Sequence, residues 1–131
     1  MSAFATMKLP DTPTIIAPDG SDVRVLLQLS GGSMAHFELG AGAVSDPVLH
    51  QTVEEIWFVV KGSGEMWRRQ GDREEIVALA PGICVTIPRG TSFQFKASAS
   101  EAVAAVGITM PPWPGEGEAL PTEGPWVGTR R

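Results

Sequence analysis

A single cysteine, Cys84, is the entire thiol complement of this 131-residue chain, so no disulfide can form within it. Nothing in its cysteine usage points to an oxidising compartment. Positive charge is scarce as well: ten lysines and arginines against fifteen aspartates and glutamates give a formal net charge of −5. Phosphate binding needs a basic face, so nucleic acid is not an expected partner. Long apolar runs are missing, and no window has the length of a membrane span. The opening stretch, Met1 to Pro10, lacks the apolar core of a secretory signal. A cytoplasmic protein with no membrane partner is therefore expected. A hydrophobic fraction of 43% and a charged fraction of 19% belong to a chain that folds.

Sustained helical periodicity is absent too. The 15 glycines and 11 prolines are spread between short apolar runs, where they would interrupt any helix repeatedly. Short strands joined by turns are what remains. Val23 to Leu29 and Met34 to Leu39 flank a turn at Ser30-Gly31-Gly32-Ser33 and pair most simply as a hairpin. Val53 to Val60, rich in β-branched and aromatic residues, reads as a buried strand. Glu65 to Arg69 and Glu75 to Leu79 form a second hairpin around Gln70-Gly71-Asp72. Ile83 to Ile87, Phe93 to Phe95 and Ala102 to Thr109 bring the count to roughly eight or nine strands, the pattern of an all-β sandwich or barrel. One domain is expected over residues 1–131, with its core at about 22–109. The tail, 110–131, is too proline-rich for a sheet interior. With Trp113 and Trp126 as anchors, it is expected to lie across the barrel.

Two spaced motifs narrow the reading. Gly42, five residues, Val48, one residue, His50, four residues, Glu55, six residues and Gly62 form the first; Gly82, five residues and Pro88-Arg89-Gly90 form the second. In these motifs the chain resembles the cupin family. The resemblance implies a double-stranded β-helix, or jelly-roll barrel, that holds one divalent metal on three histidines and a glutamate. Those positions fall on Val48, His50, Glu55 and Phe93. Valine and phenylalanine cannot coordinate, so the metal motif is degenerate and weak or no metal binding is expected. Should iron, manganese, nickel or zinc bind, His50 and Glu55 are the ligands left to hold it. Cupin barrels also commonly pair through their sheets, which implies a homodimer.

Alternation places Glu55 and Trp57 on one strand face, and Glu54, Ile56 and Phe58 on the other. In the register the resemblance implies, the Glu55 face is interior, where a carboxylate must be paired, metal-bound or protonated. His50 is either a functional imidazole, able to move protons near neutral pH, or a histidine hydrogen-bonded inside the barrel. The expected pocket comprises Val48, His50, Glu55, Trp57, Met66, Arg68 and Phe93. Its aromatic walls suit a small apolar or weakly acidic organic molecule, and an inward Arg68 would hold an anion. Trp57 and Phe93 would equally serve as plain core filling. The alternative is an enzyme of isomerase or oxygenase type, with or without metal, in which His50 and Glu55 are catalytic. Gln28, Gln51 and Gln94 are further polar candidates whose facing the sequence leaves open. His36, with no motif around it, reads as a surface or sheet-packing residue. Cys84 lies among apolar neighbours and reads as an inert buried thiol. Trp67, on the outward face, would suit a dimer interface.

Overall fold

In the computed structural model, which describes residues 3–130, the strands divide between two antiparallel sheets. The first contains β1 (Ile15–Ile16), β2 (Asp22–Leu29), β3 (Gly32–Leu39), β5 (Glu54–Gly62), β8 (Cys84–Ile87) and β10 (Val103–Met110), in the order β1-β2-β3-β10-β5-β8. The second contains β4 (Val48–His50), β6 (Gly64–Gln70), β7 (Arg73–Leu79), β9 (Ser92–Ala97) and β11 (Ala119–Pro121), in the order β11-β4-β9-β6-β7. Successive strands switch sheets at β3 to β4, β4 to β5 and β5 to β6, which gives the jelly-roll its double wrap. Both expected hairpins are present, as β2–β3 and β6–β7. No helix among the described residues is long and apolar enough to cross a membrane.

The strongest pattern in the sequence controls the middle of the first sheet. Along β5, Glu55, Trp57 and Val59 are buried while Glu54, Ile56, Phe58 and Val60 are exposed. Antiparallel pairing carries this parity across the sheet, so Ser33, Thr109, Glu55 and Ile87 form one interior row. Ala35, Gly107, Trp57 and Val85 form the next. Glycine at 107 is a packing requirement: a Cβ there would lie 2.7 Å from Phe37 and 2.8 Å from the Trp57 indole. The gap admits the Phe37–Trp57 stack, whose ring centroids are 4.7 Å apart. In the second sheet, Val48, Phe93 and Arg68 share a row. Between the sheets Trp57, Val59, Met66, Phe95 and Val103 close the core. Each such large side chain contributes about 1.5–3 kcal/mol by leaving water. Gly62, the end of the first motif, has a φ of +77°, and a Cβ there would collide with the Ala102 carbonyl.

The tail lies against the barrel. Its β11 adds an edge strand beside β4, where Pro121 disrupts no interior ladder. Glu118 accepts from the backbone N–H of Thr52 (2.7 Å) and of Val53 (3.0 Å), fixing the bend between β4 and β5. Burial pushes this carboxyl up, but the hydrogen bonds from Thr52 and Val53 outweigh it and hold it below the ordinary glutamate range. Trp126 exchanges backbone hydrogen bonds with the Gln94 side chain and lies under the Lys96 ammonium, 4.4 Å from the ring centroid.

Two expectations about single residues are corrected. Cys84 is exposed, because parity on edge strand β8 turns Val85 and Ile87 inward and Cys84 out. Trp67 does point away from the core but offers no free surface. It is 1% exposed, its Nε1 donates to Glu74 at 2.6 Å, and the Arg69 guanidinium covers its ring. His36 packs into the outer face of the first sheet beside Arg24. Burial, and then the Arg24 charge, push its imidazole below the ordinary value.

Candidate functional site

β4 and β5, from opposite sheets, bring His50 and Glu55 together in the barrel interior. His50 Nδ1 lies 2.9 Å from Glu55 Oε2. The imidazole N–H is not aimed well enough for a good hydrogen bond, so this is a close polar contact. The other carboxylate oxygen, Oε1, accepts from Trp57 Nε1 at 2.6 Å. Glu55 and Trp57 are two residues apart on one strand face, so the spacing that buries both also lets them bond. The His50 ring meets Phe93 edge-on, with centroids 5.2 Å apart, and meets Trp113 of the tail at 5.1 Å.

A cavity of about 180 Å³ opens beside this pair. Phe37, Trp57, Phe93 and Trp113 form its aromatic walls, and Val48 lines it as well. Ile15, Val25 and Met34 line the cavity and are exposed, which places them at an apolar mouth. Gln28, Ser33 and Thr109 supply neutral polar groups. The hydroxyls of Ser33 and Thr109 bond to each other, and Ser33 Oγ also accepts from the Trp113 backbone N–H at 2.9 Å. The tail is thereby tied into the cavity wall.

Asp19 also lines the cavity, at a position that no sequence motif marks. It sits between β1 and β2 in Pro18-Asp19-Gly20-Ser21, which reads as an ordinary turn. Yet it is only 7% exposed. Its Oδ1 accepts from the backbone N–H (3.0 Å) and hydroxyl (2.6 Å) of Ser21. Burial pushes the Asp19 carboxyl up, the Ser21 hydrogen bonds pull it down, the Glu55 charge pushes it up and His50 pulls it down; burial prevails.

Two members of the expected pocket lie elsewhere. Met66 is wholly buried in the core, in register with Phe95, and does not line the cavity. Arg68 has the inward parity expected, but Phe93 precedes it in the same row and walls it off from His50. Its guanidinium donates to the Thr86 carbonyl at 2.8 Å and lies 3.4 Å from Glu75. Arg68 therefore lines a separate cleft of about 160 Å³, with Arg69 and Arg73. The glutamines also separate: Gln28 faces the cavity, Gln51 bonds the Gly117 carbonyl, and Gln94 bonds Ser45 and the tail.

The donor set does not fit a metal. Val48 and Phe93 bring hydrocarbon to two of the four inherited positions, and His50 turns Nδ1 toward Glu55. Among the described residues, no three histidine, cysteine, aspartate or glutamate side chains gather as a metal site.

Comparison with known proteins agrees with this architecture. Solved structures that resemble it include KdgF from Halomonas sp., 20% identical, covering 75% of this chain and 85% of the other, with a TM-score of 0.62. An uncharacterized conserved protein with a double-stranded β-helix domain from Klebsiella pneumoniae is 17% identical over 82% of this chain and 89% of its own, with a TM-score of 0.65. Oxalate decarboxylase of B. subtilis reaches a TM-score of 0.74 at 14% identity; the match covers 93% of this chain but 34% of the larger enzyme. At these identities the likeness is one of fold. No curated protein matches the chain in sequence. The family model described as the cupin domain matches residues 35–109, more than half of the sequence, and the chain belongs to the cupin family.

Proposed function

We propose that the cavity beside His50 and Glu55 binds a small organic molecule directly, with no metal between ligand and protein. The observation that carries this reading is a recess of about 180 Å³ that has four aromatic walls and ends on a carboxylate–imidazole pair. Ligand sites typically combine apolar walls with a few convergent polar groups. The size sets a limit on the guest: an engineered apolar cavity of about 150 Å³ takes up benzene. A molecule with one ring, or an aliphatic body of similar bulk, matches the space.

The test is a titration of the protein with monocyclic probes such as benzyl alcohol, followed by tryptophan fluorescence and melting temperature, before and after exhaustive chelation. Saturable binding unaffected by chelator is the expected result. Ala35→Phe, which fills the cavity from β3, should abolish binding while the protein stays folded. Probe binding that vanishes with chelation, or survives in Ala35→Phe, would contradict the proposal.

A second reading has its own support. Trp57 fixes Glu55, Glu55 faces Nδ1 of His50, and Nε2 on the far edge of the ring is left for a ligand. A carboxylate behind an imidazole is an arrangement suited to metal-free proton transfer, as in the shift of a double bond next to a carbonyl. Turnover that survives chelation and is lost in Glu55→Gln would establish it; turnover unchanged in that variant would exclude it.

A further inference from the structure

We infer that the molecule this cavity takes is a small amine: an ammonium group held by Asp19 and Glu55, on a compact apolar body packed against the aromatic walls. The inference rests on the ligand-binding reading above and narrows it to one chemical class. Its basis is the charge of the lining. Two carboxyl groups, Asp19 and Glu55, and one imidazole, His50, face the cavity, and no lysine or arginine among the described residues does. With Glu55 ionised, the three groups sum to between zero and −2 in every protonation state of Asp19 and His50. With that carboxylate ionised, the recess carries no net positive charge. A carboxylate ligand would bring like charge into a space that already holds it.

The Asp19 side chain is not fully committed to protein partners, whereas Glu55 meets Trp57 through Oε1 and His50 through Oε2. Asp19 Oδ1 takes both hydrogen bonds from Ser21, which leaves Oδ2 without a partner among the described residues. The Glu55 charge also pushes the Asp19 carboxyl up. A cation between them relieves that repulsion and favours the ionised form of Asp19, which burial alone opposes. The walls add to the preference. Indole and phenyl faces attract cations through their quadrupole, most strongly where water is displaced. Arg68, the one feature of the sequence that suggested an acidic ligand, lies behind Phe93 in the other recess.

Three probes of similar shape separate the alternatives: benzylamine, benzyl alcohol and benzoate, titrated calorimetrically into the full chain at neutral pH. Benzylamine should bind about tenfold more tightly than benzyl alcohol or better, with benzoate the weakest. Asp19→Asn keeps an acceptor for Ser21 and removes the charge; it should erase the advantage of benzylamine over benzyl alcohol. The wild-type order of affinities tests the inference even if that variant fails to fold. Benzyl alcohol binding as tightly as benzylamine, benzoate binding best, or full benzylamine affinity in folded Asp19→Asn would overturn the ammonium assignment and leave ligand binding standing. Failure of all three probes to bind would remove the ligand-binding reading and this inference together.

Discussion

Two recesses among the described residues are nearly equal in size and opposite in chemistry. One, of about 180 Å³, is walled by aromatic rings and edged by Asp19, His50 and Glu55; the other, of about 160 Å³, is lined by Arg68, Arg69 and Arg73 with Glu75. Phe93 divides them, standing between Val48 and Arg68 in one row of the second sheet. A phenyl ring at a position where the family pattern has a metal ligand thus does two things. It removes a donor, and it stands in register between Val48 and Arg68, whose guanidinium is held by Thr86 and Glu75 outside the first recess. Where the family pattern places metal ligands, this barrel has an apolar-walled recess, and its arginines line a separate cleft among exposed residues.

The most severe way to break the partition is Phe93→Ala. Truncating a fully buried phenylalanine costs about 3–5 kcal/mol, read as a lower midpoint in chemical denaturation. The variant should also join the two recesses, so that an acidic probe such as benzoate gains affinity near Arg68. Unchanged stability would show that the ring does not carry the packing assigned to it. Next comes Gly107→Ala. Its new methyl group meets both Phe37 and Trp57, and overpacking of this kind costs about 1–3 kcal/mol. The near-ultraviolet circular dichroism of the stacked rings should change with it; a variant equal to wild type in both readouts would remove the close-packing argument. Because this substitution touches only the first recess, the arginine-lined cleft should be unaffected.

The smallest expected effect is of opposite sign. The Asp19 carboxyl is raised by burial, so the folded protein holds this proton more tightly than the unfolded chain does. The stability it contributes is present below the ordinary aspartate value and is lost as pH rises through the folded value. Asp19→Asn has no proton to lose, so it should melt slightly higher than wild type at neutral pH, with the difference closing in acid. A variant that melts lower at neutral pH would mean that the ionised carboxylate is stabilising where it stands.

The first recess was legible in part. Strand parity alone put Glu55 and Trp57 on one face, and the motif spacing brought His50 to the same interior. Parity also turned Arg68 inward, yet the strand in which Phe93 screens it is far away in sequence, and no local pattern reports that register. Asp19 was invisible because the same residues that fold a loop over a cavity mouth also make an ordinary turn. For Cys84 the local signal misled: apolar neighbours suggested burial, whereas alternation on an edge strand exposes every second residue. Trp67 was placed on the correct face, but its cover comes from Glu74 on the paired strand and from Arg69. Fold class was readable from turns and periodicity; the chemistry of the cavity depends on contacts between segments distant in the chain.

The four indoles provide a direct test of the central claim, that a small molecule enters the recess beside His50. In a ¹H–¹⁵N spectrum titrated with benzylamine, the side-chain N–H signals of Trp57 and Trp113, which line that recess, should shift together and saturate. Those of Trp67 and Trp126, packed on the outside, should stay in place. Movement confined to the outer pair, or no saturable movement at Trp57 and Trp113, would contradict the account.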